Sequence, residues 1–501
     1  MACVAVNAIV FCLVRPDVPD LWAARARASA ADQGAGVTYW FSWFGGATPG
    51  QYSVLTPLLC ALVGPELVAA AAAVTICGSA TWLVRDTRRP TAGAWMAAVG
   101  VVINLWCGRV PFLLGAAFAL GSLIYVRRRR TTRAGLLAVL SVLASPVAGA
   151  FLGLALSGVL VAPGLRAYRA SVLVTIACAF GSLMLIATLF GIPGPQPFPP
   201  HLLAATGIAI ALMLLVAPTS HLRVTLVVSA VAALVVFSIP NGLGANYVRL
   251  ALFCLPAAAV ALSRRRPPTV VALMTPILVF GGLTSVSAAS SATEPASDAA
   301  YYAPLAAELD TRPLLANHRL ELVAAGRAAN AVLLDHAMLA RGWETQSFRA
   351  LHAGLTSRSL DALEYRTWLD DNAVGYVAVD TSREQTRVAR LIAGGDLPYL
   401  RLVWRHAGWR LYEVLDPTPI VAEPARLQDW SQATMRVQVP CACQTLVRIR
   451  WSKFLMAPPS LPAETSDDVV DTYRPVLAQD PSGWTVLTTN RPGTYVLQGL
   501  L

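Results

Sequence analysis

Eleven apolar runs, separated by short loops, occupy the first 290 residues and restrict the fold of this chain more than any other feature. They lie at residues 2–14, 65–84, 92–106, 110–126, 134–145, 148–162, 170–190, 202–217, 223–239, 246–262 and 269–289. The chain of 501 residues is 56% hydrophobic and 13% charged, which is more apolar surface than a soluble protein can bury. We therefore predict an α-helical polytopic membrane bundle of about 11 spans, although the first run is short for the ~20 residues that a span needs.

The arginines predict how this bundle is oriented. Residues 1–290 contain 19 Arg and five acidic residues, whereas residues 291–501 contain 20 basic and 23 acidic residues. The excess of arginine over acidic residues falls in alternate loops, at Arg85–Arg89, Arg127–Arg133, Arg166 to Arg169, Arg223 and Arg264–Arg266. Because cytoplasmic loops concentrate Arg and Lys, we expect the N-terminus inside and everything after Ser290 outside. This uneven charge argues against nucleic acid as a partner.

The composition becomes that of a soluble protein after Ser290, so we divide the chain into a transmembrane domain, 1–290, and an extracytoplasmic globular domain, 291–501. The globular domain is expected to be α/β to about residue 415 and mostly β after it. Helical periodicity covers 300–309 and 359–371, and strand patterns cover 374–379, 400–404, 409–414, 435–439, 445–451 and 485–487. Cys441 and Cys443 have a poor spacing for a metal site, and a disulfide between them is left open.

Few carboxylates occur in the membrane part: they are Asp17, Asp20, Asp32, Glu66 and Asp86. Asp86 lies among the inside arginines, where it would serve as an ion-pair partner, and the other four fall outside. Asp17 and Asp20 are the best candidates for catalysis, because they follow the first span directly and would share a face if that turn is helical. Asp32 and Glu66 are further acidic candidates. Each of the four could also be a surface charge without function.

Two arginines lie outside the inside clusters and complement these acids. Arg109 follows Cys107-Gly108 between two spans, and Arg249 ends the loop that starts at Asn241. As lone arginines they could snorkel to lipid headgroups. As a pair they could bind a phosphate, since guanidinium grips phosphate oxygens bidentately. Because two desolvated arginines need an anion, we expect the loop from Asp17 to Pro57 to fold back against both of them. A direct ion pair with the acids, without any ligand, is the alternative to a phosphate site.

An aromatic stretch, residues 39–57, combines six aromatic residues with three glycines. Trp and Tyr of this density are typical of a membrane–water boundary, and glycine allows a backbone to approach a ligand closely. We predict a substrate-binding loop at the outer face. An interfacial hairpin that only anchors the fold is the alternative. The candidate residues of this loop are Tyr39, Trp40, Trp43, Gly45, Gly46, Tyr52 and Ser53.

The order of several motifs resembles the GT-C superfamily of membrane glycosyltransferases, and within it the multi-span members of actinobacterial cell envelopes. In the membrane part these motifs are Trp43-Phe44-Gly45-Gly46, Pro49–Leu55, Gly108-Arg109-Val110-Pro111-Phe112, Leu143–Gly149 and Asn241–Arg249. In the globular part they are Arg319–Val323, Ala340–Gln346, Tyr365–Leu369 and Ala373–Ala378. The resemblance covers most of the chain.

This resemblance implies an enzyme of cell-wall biogenesis that transfers a sugar from a polyprenyl phosphate donor to a cell-envelope glycan or glycolipid, outside the cell membrane and with inversion. An acidic residue of the first outer loop would be the general base, here Asp17 or Asp20, with Arg109 and Arg249 on the leaving phosphate. The spacing Asp-Val-Pro-Asp departs from the adjacent or alternating carboxylates common in that family. No metal ligand is assigned, and the need for a divalent metal is left undecided.

Two readings from other classes remain open. A secondary transporter would also have many spans, but such folds usually show two related halves and charges near the middle of the membrane. The predicted spans here carry charged residues only near their ends, as at Glu66 and Arg249, and a large globular domain follows them. A non-catalytic membrane scaffold is the other alternative, if the carboxylates have no function.

Overall fold

The computed structural model describes residues 1–35, 37–323, 327–382, 386–395, 397–458 and 475–500. Contacts divide the chain into two compact units. The first unit is Met1–Ala28 with Gly50–Glu294, and the second is Ser29–Pro49 with Pro295–Leu501. The aromatic stretch is therefore cut near its middle, since its first eleven residues, 39–49, belong to the second unit.

The region before residue 295 is helical. Its helices are α1 (Ala2–Val14), α2 (Pro19–Asp32), α3 (Leu55–Val63), α4 (Pro65–Val84), α5 (Pro90–Trp106), α6 (Val110–Arg127), α7 (Thr131–Ala144), α8 (Pro146–Val161), α9 (Arg169–Phe190), α10 (Pro200–Val216), α11 (Ser220–Ser238), α12 (Leu255–Leu262) and α13 (Pro267–Ala292). Proline is the first or second residue of α4, α5, α6, α8, α10, α12 and α13, where its missing N–H costs nothing. A π-helical turn, Leu250–Cys254, leads into α12.

Several of these helices are long and apolar enough to cross a membrane. Within the described residues six qualify, and the pair α1 and α2, bent by 65°, would make a seventh. The six segments are Pro65–Val84, Val110–Arg127, Gly164–Phe190, Ser220–Ser238, Gly244–Leu262 and Pro267–Ala292. Four other apolar helices, α5, α7, α8 and α10, are shorter. Large apolar side chains such as Leu173 and Phe180 on α9 are exposed, as lipid-facing residues are. The chain is thus a multi-pass membrane protein.

The second unit is rich in β-structure and holds three sheets. Its strands are β1 (Arg319–Val323), β2 (Val374–Asp380), β3 (Leu400–His406), β4 (Trp409–Val414), β5 (Arg426–Trp430), β6 (Thr434–Val439), β7 (Gln444–Arg450), β8 (Leu455–Met456), β9 (Val476–Gln479), β10 (Trp484–Thr488) and β11 (Gly493–Gly499). Its helices are α14 (Ala303–Leu309), α15 (Thr345–Leu351), α16 (Ala362–Asp371) and α17 (Arg387–Ala393). A capping box between Asp361 and Glu364 starts α16.

The first sheet is formed before residue 415, and the strands of the other two sheets alternate along the chain after it. The first has the order β1-β2-β4-β3, with β1 and β2 parallel and the other pairs antiparallel. Every residue of β1 and β2 is buried, as expected for strands covered on both faces. After Val414 the sheets β7-β10-β9 and β5-β6-β11-β8 are wholly antiparallel. Cys441 and Cys443, left open by the sequence, form a disulfide.

The first part of the aromatic stretch packs in the core of the second unit. Tyr39, Trp40, Phe41, Trp43 and Phe44 are each at most 1% exposed. Their backbone joins this unit through bonds such as Phe41 N–H to Gln432 O (3.0 Å) and Arg450 N–H to Gly45 O (2.8 Å). These aromatic rings were expected at a membrane–water boundary. They are instead core residues, because the hydrogen bonds of the segment are satisfied by neighbouring strands and loops.

Candidate functional site

Three charged side chains of the first unit meet where several helices begin or end. Asp20 lies in the first turn of α2, Arg109 lies between α5 and α6, and Arg249 precedes the π-helical turn. Gly108 makes this meeting possible, since its φ is +71° and a Cβ there would lie 2.7 Å from the backbone N of Leu21. The glycine therefore lets the start of α2 lie directly against the turn that carries Arg109.

The carboxylate of Asp20 lies between the two guanidiniums. Its Oδ2 is 3.7 Å from Arg109 Nε and 3.7 Å from Arg249 Nη2. These distances give attraction without a hydrogen bond. The arginine side chains are 16% and 17% exposed, whereas that of Asp20 is 49% exposed. Two largely buried positive charges thus face one carboxylate, which leaves a net positive charge that a further anion could neutralise.

Aromatic rings and one amide hold the two guanidiniums. Arg109 lies 5.7 Å from the ring centre of Phe253, and Arg249 lies 5.3 Å from that of Phe112. Arg109 also donates from Nη1 to Oδ1 of Asn104 (3.0 Å). In the described part of the chain the Arg249 guanidinium makes no hydrogen bond, and the buried Nε of Arg109 has no acceptor. Both arginines therefore have donors left for phosphate oxygens.

A small, open depression lies beside Asp20, and its volume of about 290 Å³ includes open solvent. Its lining residues are Asp20, Ala23, Ala24, Arg27, Tyr52, Ser53, Thr56, Pro57, Cys60 and Pro111. Tyr52 is 37% exposed, and the Arg27 guanidinium lies 4.0 Å from its ring centre. Ser53 donates to the carbonyl of Ala144 (2.8 Å), which fixes this segment against the end of α7. Tyr52 and Ser53 are thus the candidates from the aromatic stretch that lie beside Asp20.

The other acidic candidates lie elsewhere. Asp17 precedes α2 rather than sharing a helical turn with Asp20, and its Oδ1 pairs with Arg25 Nη1 at 3.1 Å. Arg25 also binds Glu66, with Nε to Oε1 at 2.9 Å. Asp17 and Glu66 are therefore engaged in a separate ion-pair cluster. Asp32 is exposed and belongs to the second unit.

The remaining candidates of the aromatic stretch have packing roles in the second unit. Trp40 donates to Gln432 Oε1 (2.9 Å), and Tyr39 donates to the carbonyl of Arg450 (2.6 Å). Trp40 stacks on Trp43 with ring centres 5.2 Å apart. Gly45 and Gly46 have positive φ, and a Cβ at Gly46 would overlap the Tyr39 hydroxyl. The glycines thus serve a tight turn packed on aromatic rings.

Four further residues of this site, Asn104, Arg27, Phe112 and Phe253, were not among the residues predicted from the sequence. Asn104 left a signal, because it is the lone amide in the apolar run 92–106. Phe112 ends the motif Gly108–Phe112 but was given no role there, whereas Arg27, in a predicted loop, and Phe253, in an ordinary apolar run, left no signal. Among the described residues no group of three or more His, Cys, Asp or Glu side chains could hold a metal ion.

Comparisons with known proteins add no relative. No family model matches this chain, and no curated protein matches it.

Proposed function

We propose that this protein is a GT-C-like membrane glycosyltransferase that moves a sugar from a polyprenyl phosphate to a glycan or glycolipid of the cell envelope. The observation that carries the proposal is the placement of Asp20 3.7 Å from both Arg109 and Arg249. A carboxylate that can take a proton and two cations that can stabilise a leaving phosphate are the groups that such a transfer needs.

Each group has a defined task in this reaction. The Asp20 carboxylate removes the proton from the acceptor hydroxyl, whose oxygen attacks the anomeric carbon of the donor sugar. The bond from that carbon to the phosphate oxygen breaks on the opposite side, so the anomeric centre inverts. The departing polyprenyl phosphate carries the electron pair, and Arg109 and Arg249 stabilise its negative charge. The Asp20 side chain is 49% exposed, so the hydroxyl of an acceptor can approach its carboxylate.

The orientation in the membrane is part of the proposal. If the four shorter apolar helices and the first run also cross the membrane, the count reaches about eleven spans. The positive-inside rule then puts the arginine-rich loops in the cytoplasm, and Asp20, Arg109, Arg249 and the second unit on the outer face. Polyprenyl phosphate sugars presented in the outer leaflet would reach the arginines from the lipid.

The test is a transfer assay with purified full-length protein in vesicles that contain radiolabelled polyprenyl phosphate sugars and envelope acceptors. Asp20→Asn should lower the transfer rate about 10²–10⁴-fold, since it removes the base and keeps the shape. Asp17→Asn is the matched control in the same loop and should retain most of the activity. Full activity of Asp20→Asn would end the proposal. Movement of the intact polyprenyl phosphate sugar across the vesicle membrane, without cleavage of the bond between sugar and phosphate, would favour the transporter instead.

A further inference from the structure

Five loops of the first unit carry most of its positive charge. They join α4 to α5, α6 to α7, α8 to α9, α10 to α11 and α12 to α13. Fourteen of the 19 arginines in residues 1–290 lie in these loops or in the adjoining helix turns, with Asp86 as their one acidic residue. The other end of α5 carries the candidate site, about 25 Å away along a helix of 17 residues.

Direct bonds between these loops place them at one end of the helices. Arg127 Nη1 donates to Leu83 O (2.8 Å), and Arg89 N–H donates to Ala261 O (2.9 Å). The hydroxyls of Thr131 and Ser171 are 2.7 Å apart. A fourth bond runs from Arg265 Nε to Leu215 O (3.1 Å). The five loops thus form one surface, here called the basic face.

One tryptophan gathers three guanidiniums on this face. Arg85, Arg127 and Arg128 lie 4.2, 5.4 and 4.8 Å from the ring centre of Trp82. Asp86 accepts from Arg85 and Arg127, with the shorter contact 2.6 Å. Arg128 is exposed, and its guanidinium makes no hydrogen bond in the described part of the chain. The cluster therefore keeps a net positive charge on a rigid aromatic support.

Exposed apolar side chains begin directly below the basic face. Trp95 on α5 is 57% exposed, and Leu136 on α7 is 60% exposed. They follow Arg89 by six residues and Arg133 by three, which is about 9 Å and about 4.5 Å along a helix. A basic face next to exposed apolar side chains fits a molecule with an anionic headgroup and hydrocarbon chains. A free anion or a nucleic acid would contact the basic face alone.

We propose that the basic face binds the headgroups of anionic phospholipids in the leaflet that it contacts, with Arg128 beside Trp82 as a principal binding point. This inference does not depend on the proposed enzymatic reaction. Binding should weaken with ionic strength, because most of the arginines are exposed and their charges are screened by salt.

The experiment uses purified full-length protein in nanodiscs of phosphatidylcholine with increasing phosphatidylglycerol, and native mass spectrometry counts the lipids retained. The variant R128Q/R129Q/R130Q should lose apparent affinity for phosphatidylglycerol by about fivefold for each arginine, as expected for basic residues at an anionic surface. The variant R128K/R129K/R130K, which keeps the charge, should stay close to wild type. The matched control R349Q/R390Q/R405Q removes three exposed arginines of the second unit and should bind as wild type does.

Three results would overturn the proposal. In the first, R128Q/R129Q/R130Q retains as much phosphatidylglycerol as wild type. In the second, R349Q/R390Q/R405Q loses as much affinity for phosphatidylglycerol as R128Q/R129Q/R130Q does. In the third, wild type does not prefer phosphatidylglycerol to phosphatidylcholine. If the triple glutamine variant does not fold, the single variant Arg128→Gln decides the same question. Its side chain is exposed and makes no hydrogen bond to another described residue.

Discussion

Arg109 donates a hydrogen bond from Nη1 to Oδ1 of Asn104, 3.0 Å away, and so one guanidinium of the candidate site is fixed by an uncharged partner. Asn104 is 2% exposed, and its own amide nitrogen donates to the carbonyl of Gly100 (2.7 Å). The amide is thus locked in one orientation. Because its acceptor oxygen carries no full charge, it positions Arg109 without neutralising it.

Substitution of Asn104 should separate positioning from charge. Asn104→Ala frees the guanidinium, and we expect the KM for the donor to rise about tenfold with a smaller change in kcat, since a hydrogen bond to a charged group contributes ~1.5–3 kcal/mol. Asn104→Asp should raise the KM further, because its carboxylate would compete with the phosphate for Arg109. Steady-state transfer kinetics measure both.

Ser122→Ala is the control for this pair of variants. It removes another buried hydrogen bond of the first unit, from the Ser122 hydroxyl to Ala134 O (2.8 Å), near the far end of α6. Its donor KM should match that of wild type. A donor KM for Asn104→Ala equal to that for Ser122→Ala would remove Asn104 from the site.

Asp20 and Arg249 should affect phosphate binding in opposite directions. Asp20→Ala removes the anion that competes for the guanidiniums, so polyprenyl phosphate should bind about twofold to fivefold more tightly although transfer is lost. Arg249→Ala should weaken the same binding, and Arg249→Lys should recover only part of it, because an ammonium lacks the bidentate fork. Equilibrium binding of polyprenyl phosphate to the reconstituted variants measures the direction of both changes in affinity. A change in the same direction for Asp20→Ala and Arg249→Ala would contradict this account.

The helices of the membrane part could be predicted, because apolar runs bounded by prolines and arginines form helices that end near those residues. The ends of α4, Pro65–Val84, agree with the predicted run 65–84, and those of α9, Arg169–Phe190, differ from the run 170–190 by one residue. The segment Pro19–Asp32 was missed as helix α2, because the prediction followed apolar runs alone. Its two arginines and two aspartates interrupt the apolar pattern, although its six alanines and its first residue, Pro19, favour a helix.

The candidate site was predicted in part. Asp20, Arg109 and Arg249 could be singled out because isolated charges beside apolar runs are rare. The location of Trp40 and Trp43 could not be predicted, since burial in a globular core and a position at the membrane boundary are both compatible with the same aromatic composition. The choice between these two locations depends on the tertiary structure of the second unit, in which Gln432 accepts a hydrogen bond from Trp40.

Gly342 should tolerate no side chain, because the segment that contains Trp43 packs directly on it. A Cβ at Gly342 would lie 1.8 Å from Cη2 of Trp43. We expect Gly342→Ala to destabilise the second unit by about 1–3 kcal/mol through overpacking. Gly354→Ala is the matched control, since nothing lies within 4 Å of its added Cβ. Thermal unfolding of the full-length protein compares the two, and equal melting temperatures would refute the packing described for Trp43.

His352 should make the stability of the second unit depend on pH. This side chain is 2% exposed, stacks on Phe44 at 5.7 Å and accepts a hydrogen bond at Nδ1 from Trp368 Nε1 (3.1 Å). Burial, helped by the positive charges of Arg450 and Arg341, lowers the pKa of His352 to about 2. The folded protein therefore keeps this imidazole neutral at pH values where the unfolded chain, with a pKa of about 6.5, binds a proton.

This difference fixes the sign of the pH effect. Its contribution to the free energy of unfolding is complete above about pH 6.5 and falls by ~1.4 kcal/mol for each pH unit below it, because the unfolded state binds more protons there. His352→Gln keeps an acceptor for Trp368 but does not titrate. It should be less stable than wild type at pH 7.5 and lose about 2 kcal/mol less between pH 7.5 and pH 5. His406→Gln, at an exposed histidine of β3, should retain the wild-type slope. Unfolding followed at several pH values decides the matter, and identical slopes for His352→Gln and wild type would show that His352 is not buried as a neutral imidazole.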